Sequence, residues 1–174
     1  MIIPNSMIIL GTLLIAIGGI IATSGWNKRT VVHQRNGIIR SVAAELLMNV
    51  NIWKNSKFVE TDNEKLKEYV VFPRMQTAVL AGALASGLFT EEKDRLFLTR
   101  AADLNERLLS FNERLSITEN IMNESPNKIH EFRTKLRDGE VRKSVGVKLQ
   151  KFGKLLLSNY GIKSDDKFFV ELND

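Results

Sequence analysis

Two histidines, no cysteine and a scatter of carboxamides and charged side chains are all that this chain offers toward chemistry. A di-iron bundle site needs Glu-x-x-His on two helices, and neither His33 nor His130 has a glutamate three residues before it. Without cysteine there is no disulfide, thiolate ligand or sulfur nucleophile. No Gly-rich phosphate loop, His-Glu-x-x-His or nucleophile elbow is present. The residues therefore predict a non-enzyme with no metal and no cofactor. The polar side chains closest to apolar faces are Asn49, Asn51, Arg74, Gln76, Asn105 and Asn112. An asparagine in a helical seam sets register, and Arg74 directly after Pro73 suits an acid near a helix start.

The elements that would position these groups begin with an apolar run, Met7 to Trp26, that holds no charged residue. About 20 residues at a 1.5 Å rise match the roughly 30 Å hydrocarbon core of a bilayer, so the run predicts a transmembrane helix. The segment before it, MIIPNS, has no basic residue, unlike the n-region of a signal peptide, which predicts that the helix is retained. Lys28, Arg29, Arg35 and Arg40 follow directly. By the positive-inside rule they place the N-terminus outside and the C-terminal domain in the cytoplasm of a cell membrane, with these four cations against lipid headgroups. Thr12, Ala16, Gly19 and Thr23 recur at spacings of 4, 3 and 4, a small-residue stripe suited to helix packing in lipid.

Charge is unevenly spread along the chain, whose net value is +5. Residues 28–57 carry six Lys/Arg against Glu45 alone, residues 58–119 eight against eleven acids, and residues 128–154 nine against three. Beside a membrane anchor, anionic lipid is a nearer partner for these basic blocks than nucleic acid.

Beyond the anchor the pattern is helical throughout. Ile39, Ala43, Leu46, Val50 and Trp53 form one face, widened by Val42 and Leu47. Pro73 at a first turn and the run from Met75 to Ser86 predict a buried central helix, with Gly87 as its cap. Thr90 predicts the start of the clearest helix of the domain, with Glu91 and Glu92 in its first turn. Along it Phe97, Ala101, Leu104, Leu108, Phe111, Leu115, Thr118 and Met122 alternate at 4 and 3 residues, a coiled-coil-like bundle seam. Asp103 with Arg107, and Glu91 with Arg95, are expected as i,i+4 pairs. A shorter helix with Ile129, Phe132 and Leu136 is interrupted at Asp138-Gly139. The last helix, from Glu140 to Tyr160, places Val141, Val145, Leu149, Phe152, Leu156 and Tyr160 on one face and its lysines mainly off it. That helix fits a bundle member better than one lying on lipid.

The expected fold class is all-α, with one N-terminal transmembrane helix (residues 1–27 with its tail), a small antiparallel helical bundle of about four main helices (residues 28–161) and a C-terminal tail (residues 162–174). The expected function is that of a membrane-anchored interaction or scaffold module, or accessory subunit, meeting membrane lipids and a membrane-protein partner or a second copy, with no nucleic acid. The alternative is a tethered sensor binding a small ligand in the bundle core, beside the glycine- and alanine-rich helix.

Overall fold

The computed structural model describes residues 5–55, 71–125 and 128–162, with the backbone alone at residues 5–27, 129 and 130. All regular structure among the described residues is helical: α1 (Asn5–Trp53), α2 (Ala78–Ala85), α3 (Arg95–Glu124), α4 (Ile129–Asp138) and α5 (Glu140–Tyr160), with a 3-10 turn at Glu92–Asp94. The chain divides at Gly37 into two compact units.

In the first unit the backbone is helical from Asn5, and Lys28, Arg29, Val31, Val32 and His33 are exposed. Among the described residues no helix is long and apolar enough to cross a membrane. The predicted span and its stripe of Thr12, Ala16, Gly19 and Thr23 lie outside the described side chains.

The second unit is a helical bundle whose core follows the predicted seam. Phe97, Ala101, Leu104, Leu108, Phe111, Leu115, Thr118 and Met122 are all buried on α3. They meet Ile39, Val42, Ala43, Leu46 and Val50 of α1 and Val145, Leu149, Phe152 and Leu156 of α5 in one cluster. A 3.6-residue period cannot hold so many apolar side chains on one stripe unless another surface covers it, and here two helices do. α5 runs antiparallel to α3, since Phe97 near the start of α3 packs on Phe152 and Tyr160 near the end of α5. α5 ends as predicted, with Gly161 in the left-handed region at φ 60°. Gly87, at φ 66°, plays the same part after α2.

Two close approaches depend on glycine. A Cβ on Gly139 would stand 2.3 Å from the carbonyl oxygen of Lys135, so only glycine lets α4 stop and α5 start within one residue. A Cβ on Gly146 would stand 2.7 Å from the indole of Trp53, which packs against α5 at that point. Gly146→Ala should therefore push Trp53 off α5 and cost about 1–3 kcal/mol, read as a lower melting temperature in mild detergent and an altered Trp fluorescence maximum. An unchanged melt would show that the indole moves away freely.

Three expectations are corrected. Residues 71–77 are not helical, and α2 begins only at Ala78. The residue before a proline is disfavoured in helical backbone, and Phe72 before Pro73 lies in no helix. α2 is a surface helix and not the centre of the bundle: Leu80 and Ala83 are buried, while Ala81, Gly82, Ala85 and Ser86 are exposed. Its side chains are too small to fill a core, and the space beside Gly82 is open. Finally, α3 starts at Arg95 rather than after Thr90, because the chain first makes the 3-10 turn that carries Asp94 into the core. There the Tyr160 hydroxyl donates to Asp94 Oδ1 at 3.2 Å.

Candidate functional site

Four of the polar residues singled out from the sequence, Asn49, Arg74, Gln76 and Asn112, are gathered at the non-helical stretch 71–77, which lies as a strap between α1 and α3. The amide of Asn49 is two-pronged: its Nδ2 donates to the Gln76 carbonyl at 2.7 Å, and the Gln76 N–H donates back to Oδ1 at 2.6 Å. Asn112 on α3 does the same to the next residue down, with Met75 N–H to Oδ1 and Nδ2 to Met75 carbonyl both at 2.9 Å. A carboxamide has one acceptor and one donor edge, so it can satisfy both backbone groups of a single extended residue. Arg74 finds the acid expected of it in Glu119, with Nη1 donating to Oε1 at 3.0 Å and Nη2 forming the ion pair with Oε2. The Phe72 N–H donates to the same carboxylate at 2.6 Å. Asn51 is exposed, and Asn105 is half-buried on α3.

Glu45 completes this network and was not visible as a participant in the sequence. It is buried on the apolar face of α1, where its carboxylate accepts from the backbone N–H groups of Val79 at 2.7 Å and Leu80 at 2.9 Å. These donors belong to the first turn of α2, which has no side-chain cap of its own. The one available signal was the pair Glu45 and Asn49, two polar residues i,i+4 on an otherwise apolar stripe. The carboxylates and amides of this network are engaged in holding the strap and α2 against α1 and α3.

A second hub joins the end of α1 to the start of α5. Trp53 Nε1 donates to the Arg142 carbonyl, and Arg142 Nη2 donates to the Trp53 carbonyl, each at 3.2 Å, with the guanidinium 4.7 Å above the indole ring. Burial pushes the Arg142 guanidinium below its ordinary range, against the pull of the nearby Asp138 carboxylate.

Beside this hub a groove of about 430 Å³ opens between α3, α4 and α5. Phe111 and Leu136 form its floor, Phe132 and Val141 its sides, and Ile117, 57% exposed, stands at the mouth. Glu113, Arg114 and Lys135 edge it. Lys135 donates to Glu131 at 2.6 Å, and that contact holds the Glu131 carboxyl below the usual carboxylate range. Among the described residues no group of three His, Cys, Asp or Glu is placed to hold a metal ion.

No protein-family model, curated protein or solved structure matches this chain.

The remaining predicted residues fall in two classes. The seam residues Phe97, Ala101, Leu104, Leu108, Phe111 and Leu115 are core. Of the predicted headgroup cations, Lys28, Arg29 and Arg40 are exposed and Arg35 is half-buried. The expected i,i+4 pairs are replaced by others: Asp103 bonds Lys148 across to α5, and Glu91 bonds Lys93 at 2.5 Å. An acid on α3 next to a basic helix finds the partner that packing brings, not the one its own helix offers.

Proposed function

We infer that the protein is a single-pass membrane protein whose helical bundle serves as a non-catalytic interaction module, with its N-terminus outside and the bundle in the cytoplasm. The observation that carries this reading is the uncharged run Met7–Trp26 followed at once by Lys28, Arg29, Arg35 and Arg40. The stripe of Thr12, Ala16, Gly19 and Thr23 gives the span a surface for a partner helix or a second copy. The engagement of Asn49, Asn112 and Glu119 in bonds to the strap, and of Glu45 in bonds to the first turn of α2, supports a scaffold role, since these groups serve the fold. The groove beside Ile117 offers the bundle an open apolar surface.

Carbonate-washed membranes should retain the full chain, and extraction into mild detergent should yield a self-oligomer or a stoichiometric complex with another membrane protein. A chain released by carbonate, or one that is monomeric and without a partner in detergent, would overturn the proposal. Orientation is tested separately: in sealed inside-out vesicles added protease should digest the bundle, and protection would reverse the topology.

A further inference from the structure

α5 is the most basic element of the bundle, with Arg142, Lys143, Lys148, Lys151 and Lys154 against Glu140 alone. Its inward face is sealed by Val145, Leu149, Phe152 and Leu156. Packing therefore forces the cations outward, and Lys143, Val147, Lys151 and Lys154 share one exposed stripe at spacings of 4, 4 and 3. Beside the stripe, across a shallow depression, lie Thr99, Arg100 and Asp103 of α3. The acids of this surface are already engaged: Asp103 pairs with Lys148, and Glu140 lies 3.9 Å from Lys143. Arg100, Lys151 and Lys154 make no ion pair among the described residues. Between these cations stands Val147, 48% exposed. The surface is thus a set of uncommitted positive charges around one apolar side chain.

We propose that this α3/α5 face docks the bundle on a bilayer surface rich in anionic phospholipid, with Arg100, Lys151 and Lys154 on headgroup phosphates and Val147 at the acyl boundary. Charge complementarity supplies the attraction, at roughly fivefold in surface affinity for each Lys or Arg that reaches the headgroups. The apolar residue at the centre favours lipid over nucleic acid, whose phosphate backbone offers nothing apolar to meet it. The proposal rests on the membrane-anchored reading above, which holds the face close to a bilayer.

The absence of cysteine makes the test direct. Full-length Val147→Cys, carrying an environment-sensitive fluorophore, is placed in nanodiscs of neutral lipid or of neutral and anionic lipid mixed, each containing a spin-labelled quencher lipid. Leu109→Cys, on the opposite side of α3, is the control. The label at position 147 should be quenched at least twofold more in anionic discs than in neutral ones, while position 109 stays unchanged. Salt at about 1 M, where the Debye length is about 3 Å, should remove the difference. Arg100→Glu with Lys151→Glu should do so as well, and Arg100→Gln with Lys151→Gln serves if charge reversal unfolds the protein. Equal quenching at the two positions, no response to anionic lipid, or a response to a polynucleotide in its place would overturn the proposal. A chain that stays out of the discs instead removes the anchor, and the label's response to added anionic vesicles then decides the docking face alone.

Discussion

Replacing Phe97 by alanine is expected to lower the melting temperature of the protein in mild detergent by roughly 12–20 °C. Phe97 is fully buried, stacks on Phe89 at 4.4 Å between ring centres, and touches Phe152 at 5.6 Å and Tyr160 at 5.5 Å. It thus joins the segment before α3, α3 itself and the end of α5 through one side chain. Emptying such a site removes the transfer free energy of the ring and leaves a cavity that rigid neighbours cannot close, about 3–5 kcal/mol in all. For a domain of this size each kcal/mol moves the melting temperature by about 4 °C. The loss compares with a total stability of about 5–15 kcal/mol, so the variant should populate unfolded chain at physiological temperature. A drop of less than about 5 °C would mean that the aromatic cluster repacks.

The second large effect is expected at Asn49, which is 1% exposed. Asn49→Leu keeps the volume but strands the N–H and the carbonyl of Gln76, at about 2–4 kcal/mol for the two together. Asn112→Leu should cost somewhat less, since that side chain is only half-buried. The two amides grip adjacent residues of one strap, so their losses should not add. Once either lets go the strap lifts, and the double variant should be less destabilised than the sum of the singles by at least about 1 kcal/mol. Thermal or urea unfolding of the four proteins gives this number, and strict additivity would show that each amide acts alone.

What the sequence made legible follows from how far along the chain each cause lies. The α3 seam and the α5 face are local periodicities, repeated over many turns, and their residues are the core. Gly87 is legible as a cap because a left-handed backbone is a property of that one residue, and the break at Asp138-Gly139 because the close approach to the Lys135 carbonyl is local. The strap was misread because its bonding partners are 27 to 47 residues away in the chain. Pro73 is compatible with a helix start or with an extended segment, and only the presence of Asn49, Asn112 and Glu119 on neighbouring helices decides between them. The same holds for Glu45: alone in a basic block it looks like a stray charge, and its purpose appears when the uncapped first turn of α2 arrives above it. Arg74 finds an acid as expected, though Glu119 lies toward the C-terminal end of α3 and not at a helix start.

The two asparagine grips also carry a constraint on length. Met75 turns both of its backbone groups toward α3, and Gln76 turns both of its own toward α1. At Met75 and Gln76 successive residues face opposite ways, so these two behave like a piece of central strand whose two neighbours happen to be helices. Deleting or inserting one residue between Phe72 and Asn112's partner Met75 would draw Phe72 out of its buried place if the grip on Met75 is to stay. The Gln76 side chain is exposed and can be exchanged at little cost; the number of residues from Phe72 to Val79 cannot.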